Sequence, residues 1–117
     1  MKVTFLGTGT SHGVPMIGCD CAVCRSGDPR DNRLRPSVLV ETGDGQALLI
    51  DAGPDLRTQA LRYGIRRVDA LLFTHGHADH ILGIDELRRF NTLQRQAIPC
   101  FADQVTAREV RSVFAYA

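Results

Sequence analysis

No stretch of the sequence approaches the roughly 20 consecutive apolar residues of a membrane span, and the N-terminus, MKVTFLGTGTSHGVP, lacks the long apolar core of a signal peptide. A cytoplasmic protein is therefore expected. Charge of one sign is missing too: 14 basic against 13 acidic residues leave a formal charge of +1. Such a balance gives no field that argues for nucleic acid or an anionic membrane, and only local arginines are left to meet a phosphate. Repeats, low-complexity tracts and interdomain linkers are absent, and 44% apolar with 23% charged residues is ordinary globular composition. One domain over residues 1–117 is predicted. In a reducing compartment the four cysteines should be thiols or metal ligands, not disulfides.

What is present reads as alternating elements. Lys2–Leu6 is a strand with Val3 and Phe5 on one face. SVLVE (37–41) and ALLID (47–51) are two more, joined at Gly43-Asp44-Gly45 as a hairpin. PDLRTQALRYG (54–64) has proline near its start and glycine where a C-cap belongs, which predicts a helix. Then come a strand at 69–73, a helical stretch around 85–95, a strand at 98–102 and a last helix ending near Tyr116. That helix has a capping box from Thr106 to Glu109 with Val105 and Val110 as a staple, or else begins earlier at Asp103. The alternation from residue 47 onward predicts a mixed sheet whose later strands are parallel.

Residues 7–36 show no periodicity, and a loop of this length in a compact domain points to function or a metal clamp. GCDCAVC places Cys19, Cys21 and Cys24 in a C-x-C-x2-C cluster whose soft thiolates suit a structural zinc. Cys100, inside the apolar strand IPCFA, reads as a small core residue. A denser constellation lies in FTHGHADHILG (73–83), where His75, His77, Asp79 and His80 follow an apolar run. Imidazoles and a carboxylate are borderline ligands for zinc, manganese or iron, and Gly76 and Ala78 leave room for a tight turn. Strand ends are where α/β folds place their sites.

THGHADH resembles the signature of the metallo-β-lactamase superfamily, and FLGTGTSHGVP and LLIDAGPD resemble its upstream elements in the right order. GTGTSHGVPMIGCDCAVC with IPCFADQVT is most similar to the branch containing the cyclic-phosphate phosphodiesterase of the carbon–phosphorus lyase pathway, whose loop cysteines bind a structural zinc. The resemblance implies an α/β fold: the N-terminal half of an αββα sandwich, a mixed sheet with helices on one face. It implies two divalent ions, one on His75 and His77 and the other on Asp79 and His80, with a hydroxide between them attacking phosphorus in a small cyclic or nucleotide-like phosphodiester. Asp51 resembles the family's aspartate beneath the metals, where it would orient a ligand histidine; it is equally a cap for the helix near Pro54. Together Asp79 and Asp51 are the candidate catalytic carboxylates. Gly7 and Gly9 would let the backbone pass close to the metals. His12 resembles a substrate-pocket residue or is a solvated loop histidine. Arg33 or Arg35 could reach a substrate phosphate, whereas Arg25 and Arg30 belong to a solvated loop.

The sequence departs from the family in one respect. Its remaining ligands, including two histidines and a bridging aspartate, lie downstream of this motif, and no histidine follows His80. The chain is accordingly expected to be an N-terminal portion of a longer enzyme and inactive, or nearly so, alone. Its sheet would present an uncovered apolar face, predicting a homodimer. Competing readings are a non-catalytic metal-binding module, a hydrolase of thioesters, lactones or lactams in the same superfamily, and an amidohydrolase barrel, for which 117 residues are too few.

Overall fold

Two periodic rows of side chains explain the sheet. In the computed structural model, which describes residues 1–116, five strands lie in the order β1-β2-β3-β4-β5. They are Lys2–Gly7, Ser37–Glu41, Ala47–Ile50, Ala70–Leu72 and Cys100–Phe101. The first three pair antiparallel, and β3, β4 and β5 run parallel. Register puts Leu39 against Leu49, Leu49 against Leu71 and Leu71 against Cys100, a row facing one side. The alternate row runs Phe5, Val38, Ile50, Leu72, Phe101, with Val3, Val40, Leu48 and Ala70 beside it.

All helices that pack on the sheet cover the first row. They are α1 (Leu56–Tyr63), α2 (Ala78–Ile81), α3 (Leu87–Gln94) and α4 (Gln104–Val113). Leu49, Leu56, Val68 and Leu71 are fully buried between the layers, joined by Leu6, Phe73, Ile81, Leu87, Phe90 and Phe114. Each such side chain contributes about 1.5–3 kcal/mol on leaving water. The second row stays open: Phe5 is 63% exposed, Phe101 56%, Val3 48% and Leu72 37%. The mixed sheet with helices on one face is therefore the architecture expected. No helix among the described residues is long and apolar enough to cross a membrane.

Local departures have local causes. Helix α1 ends where predicted, because Gly64 takes the left-handed conformation at φ 63° and closes the last turn. Helix α4 starts at Asp103, whose Oδ1 accepts the Thr106 N–H at 2.7 Å, so the capping box beginning at Thr106 is not used. Cys100 extends the inner row onto the two-residue edge strand, where it is exposed and not a core residue; partial burial of its sulfur still pushes the thiol pKa up.

Candidate metal centre

Parallel pairing of β3 and β4 brings their C-terminal ends to the same sheet edge, and the candidate ligands are built there. Asp51, the residue after β3, is buried and holds φ at 60°, a left-handed conformation uncommon for a residue with a side chain. The surroundings fix it: its N–H donates to the Leu72 carbonyl at 2.9 Å, and its own carbonyl accepts the Ser37 hydroxyl at 2.8 Å. The carboxylate then accepts the Thr74 N–H at 2.8 Å on Oδ1 and the Thr74 hydroxyl at 2.7 Å on Oδ2. Oδ2 also lies 2.7 Å from Nδ1 of His80.

This network engages Nδ1 of two histidine rings. The Thr74 hydroxyl has one proton and gives it to Asp51, so at 2.9 Å it accepts from Nδ1–H of His75. Asp51 accepts from Nδ1–H of His80. In a neutral ring Nε2 would then carry the lone pair that a metal requires. The His75 and His80 rings lie 4.0 Å apart, the His75 and His77 rings 4.6 Å apart, and Nε2 of His80 is 3.2 Å from Asp79 Oδ2. Asp51 thus orients a histidine; it does not cap α1, whose N-cap position is Asp55. Thr74 was not singled out from the sequence, although it stands next to the motif.

The tight turn expected around Gly76 and Ala78 is a helical one. His77 is the N-cap of α2, which carries Asp79 and His80. The helix is pressed against the segment after β3: Ala52 N–H donates to the His80 carbonyl at 2.8 Å, and Gly83 N–H to the Ala52 carbonyl at 2.8 Å. A Cβ on Gly53 would sit 2.0 Å from the Asp79 carbonyl oxygen, so glycine is required there by space.

The cysteine loop is organised differently. Ligand atoms of Cys19, Cys21 and Cys24 all lie within 4.8 Å of one another, the one such group of three among the described residues. The histidine donors are therefore oriented but less tightly gathered. Main-chain N–H groups stabilise the sulfurs: Met16 donates to Cys24 Sγ and Cys24 to Cys21 Sγ, each at 3.4 Å. The Cys24 N–H, with help from the Cys19 and Cys24 thiols, lowers the Cys21 pKa to about 7. Cys24 goes the other way: the Met16 N–H pulls it down, but Cys19, burial and Cys21 together leave it raised. One low-pKa thiolate among three converging sulfurs is a donor set that fits zinc.

The remaining residues serve the loop. Arg35 is occupied by Asp55, with its guanidinium 2.8 Å from Oδ1 and its N–H 2.8 Å from Oδ2, and its Nε donates to the Ser11 carbonyl at 3.0 Å. His12 is exposed beside that contact, its N–H donating to the Thr10 hydroxyl at 3.3 Å. Arg33 donates from Nε to the Arg30 carbonyl at 3.2 Å. Gly7 and Gly9 are packed against the returning backbone, where added Cβ atoms would lie 2.1 Å from the Arg35 carbonyl oxygen and 2.5 Å from that of Arg33. Their lack of side chains admits segment 33–35.

Known proteins share this framework. Residues 30–91 match the family model of the metallo-beta-lactamase superfamily. The chain is 45% identical over 116 residues to an octanoyltransferase of Porphyromonas gingivalis, a match covering 99% of this chain and 23% of that protein. It is 33% identical over 128 residues to coenzyme PQQ synthesis protein B of Methylobacterium nodulans, covering 98% of this chain and 43% of the other. A solved diphosphatase of the PhnP family superposes with a TM-score of 0.92 at 55% identity, over 97% of this chain and 46% of that one. The chain thus spans less than half the length of each of these three proteins.

Proposed function

This chain belongs to the metallo-beta-lactamase superfamily, and on that premise we propose that its protein is a metal-dependent hydrolase of phosphodiesters or diphosphates. The observation that carries the reading is the Asp51–Thr74 network, which engages Nδ1 of both His75 and His80 and so orients the two rings. His75, His77, Asp79 and His80 would hold the divalent ions, zinc, manganese or iron, and Cys19, Cys21 and Cys24 a structural zinc. A bound divalent ion supplies Lewis acidity toward phosphoryl oxygens and an activated water. The chain's own part is orientation: Asp51 and Thr74 fix the rings, and α2 delivers Asp79 beside His80. Likeness to the PhnP-family diphosphatase favours a phosphorus ester over the thioester, lactone and lactam alternatives. The octanoyltransferase name is not carried over, because the shared segment is only 23% of that protein.

The test is turnover of a model phosphodiester and a diphosphate ester by the protein expressed from its complete gene, with added Mn2+ or Zn2+. Asp79→Ala is expected to reduce turnover by roughly a hundredfold or more while the fold persists, since a carboxylate beside the ions is lost. Normal turnover in that variant would overturn the reading, and no turnover with any metal would favour a binding module.

The open sheet face needs a cover, because exposed apolar patches of this kind mark interfaces. For the 117-residue chain by itself the cover is a second copy, related by a two-fold axis through the row Phe5, Leu72 and Phe101. Light scattering over a dilution series should find a dimer that Phe5→Asp dissociates. A well-folded monomer at micromolar concentration would refute this.

A further inference from the structure

Each candidate ligand histidine should have an acceptor that fixes its ring. Thr74 serves His75 and Asp51 serves His80, but no hydrogen bond to the His77 ring occurs among the described residues. Gly76, between His75 and His77, shows what stands nearby. Its φ is outside the left-handed range, so conformation does not demand glycine here. A side chain stands there instead: an added Cβ would lie 1.7 Å from Oε2 of Glu109, 2.8 Å from its Cδ and 3.2 Å from its Cβ. The Glu109 side chain lies across the turn that carries both histidines.

Helix α4 delivers this carboxylate from a firm base. Asp103 caps the helix, Thr106 and Phe114 are buried, and Val110 packs against the core. Glu109 itself is exposed and has no ion pair or side-chain hydrogen bond among the described residues. Carboxylates elsewhere behave differently, Asp55 being paired with Arg35 and Asp69 with Arg67. An unpaired carboxylate against the backbone between two candidate ligand histidines is a negative charge near the place where cations would bind, and Coulomb attraction over such distances favours their binding.

We propose that Glu109 is a positioning residue of the histidine centre: its carboxylate lies against the His75–Gly76–His77 turn and adds negative charge beside the candidate ligands. The proposal rests on reading His75, His77, Asp79 and His80 as a metal centre. The probe is Mn2+, which avoids the cysteines because thiolates prefer softer ions. Its affinity is measured by electron paramagnetic resonance in the protein expressed from its complete gene, for the parent, Glu109→Gln and His77→Ala. Glu109→Gln keeps the shape and removes the charge; Mn2+ affinity should fall about tenfold, the low end for a residue supporting a ligand, with metal-free thermal unfolding unchanged. Affinity within twofold of the parent would overturn the proposal, as would a loss accompanied by an equal drop in metal-free stability, which marks a structural role. If His77→Ala leaves Mn2+ affinity intact, the metal-centre reading itself falls, an outcome separable from the first because it does not involve Glu109.

Discussion

The histidine centre and the cysteine loop solve the same problem from opposite ends. At the histidines the protein invests in orientation: a buried carboxylate, held by strand ends and by Thr74, engages the His80 ring through Nδ1, while the donors are less closely gathered. At the cysteines it invests in convergence: three sulfurs lie within 4.8 Å on an irregular, largely exposed loop with no buried acceptor behind them. The comparison teaches where each site draws its rigidity. The first draws on the hydrophobic core through β3 and β4. The second draws on main-chain N–H groups within eight residues of the sulfurs.

Asp51→Asn should break the first site most. The amide would keep the shape but offers one acceptor oxygen, where the carboxylate accepts from the Thr74 N–H, the Thr74 hydroxyl and His80. One donor must go unsatisfied, at about 1–3 kcal/mol of stability. Metal affinity at the histidines should fall roughly 10- to 100-fold. Urea unfolding and Mn2+ titration measure the two effects. An Asp51→Asn protein with parental affinity would show that ring orientation does not come from the core and would erase the contrast.

Cys24→Ser should have a smaller and separate effect. It removes one of three converging thiolates, so zinc content of the purified protein should drop by one equivalent, while Mn2+ affinity at the histidines stays within about twofold, because sites without shared partners are nearly additive. Stability should fall by about 1 kcal/mol, some 4–8 °C in a domain near this size. A parallel collapse of the histidine site on Cys24→Ser would mean that the loop and the core are one cooperative unit.

The two sites were not equally legible in the sequence. Strands showed through because their apolar residues alternate, and the parallel half of the sheet followed from the βα alternation after residue 47. THGHADH was legible as a cluster because four donor groups in six residues are rare. Its local conformation was not: the helical turn at Ala78–Ile81 is enforced by Gly53, Ala52 and Gly83 pressing on it, a tertiary effect invisible to local pattern. Arg35 looked free for a phosphate because its partner, Asp55, is 20 residues away in sequence. Glu109 and Gly76 lie far apart in the chain, and nothing in either neighbourhood announces their contact. Gly7 and Gly9 likewise make room for the backbone of 33–35, a contact remote in sequence.

The finest distinction between the two sites is chemical reactivity of the loop before metal binds. Cys21 is lowered from 9.0 to about 7 by the Cys24 N–H and the neighbouring thiols, so near pH 7 about half of it is thiolate, against about 1% of an unperturbed thiol of that reference value. Nucleophilicity falls with pKa, with a Brønsted slope of about 0.4–0.5, which returns roughly an eightfold penalty over two units. The net advantage in attack on a small disulfide reagent is then only about sixfold at pH 7. The sign follows from the direction of the shift: the Cys21 rate begins to fall as pH drops through about 7, while Cys24 and Cys100, both raised, are already protonated and slow there. Peptide mapping of metal-free protein after a brief reaction should find Cys21 modified first, and zinc should remove the preference by engaging the thiolate. Modification of Cys100 at the same rate as Cys21 at pH 7 would show that the main-chain N–H groups do not stabilise the loop sulfur, and that convergence at the cysteines is imposed by the metal and not prepared by the chain.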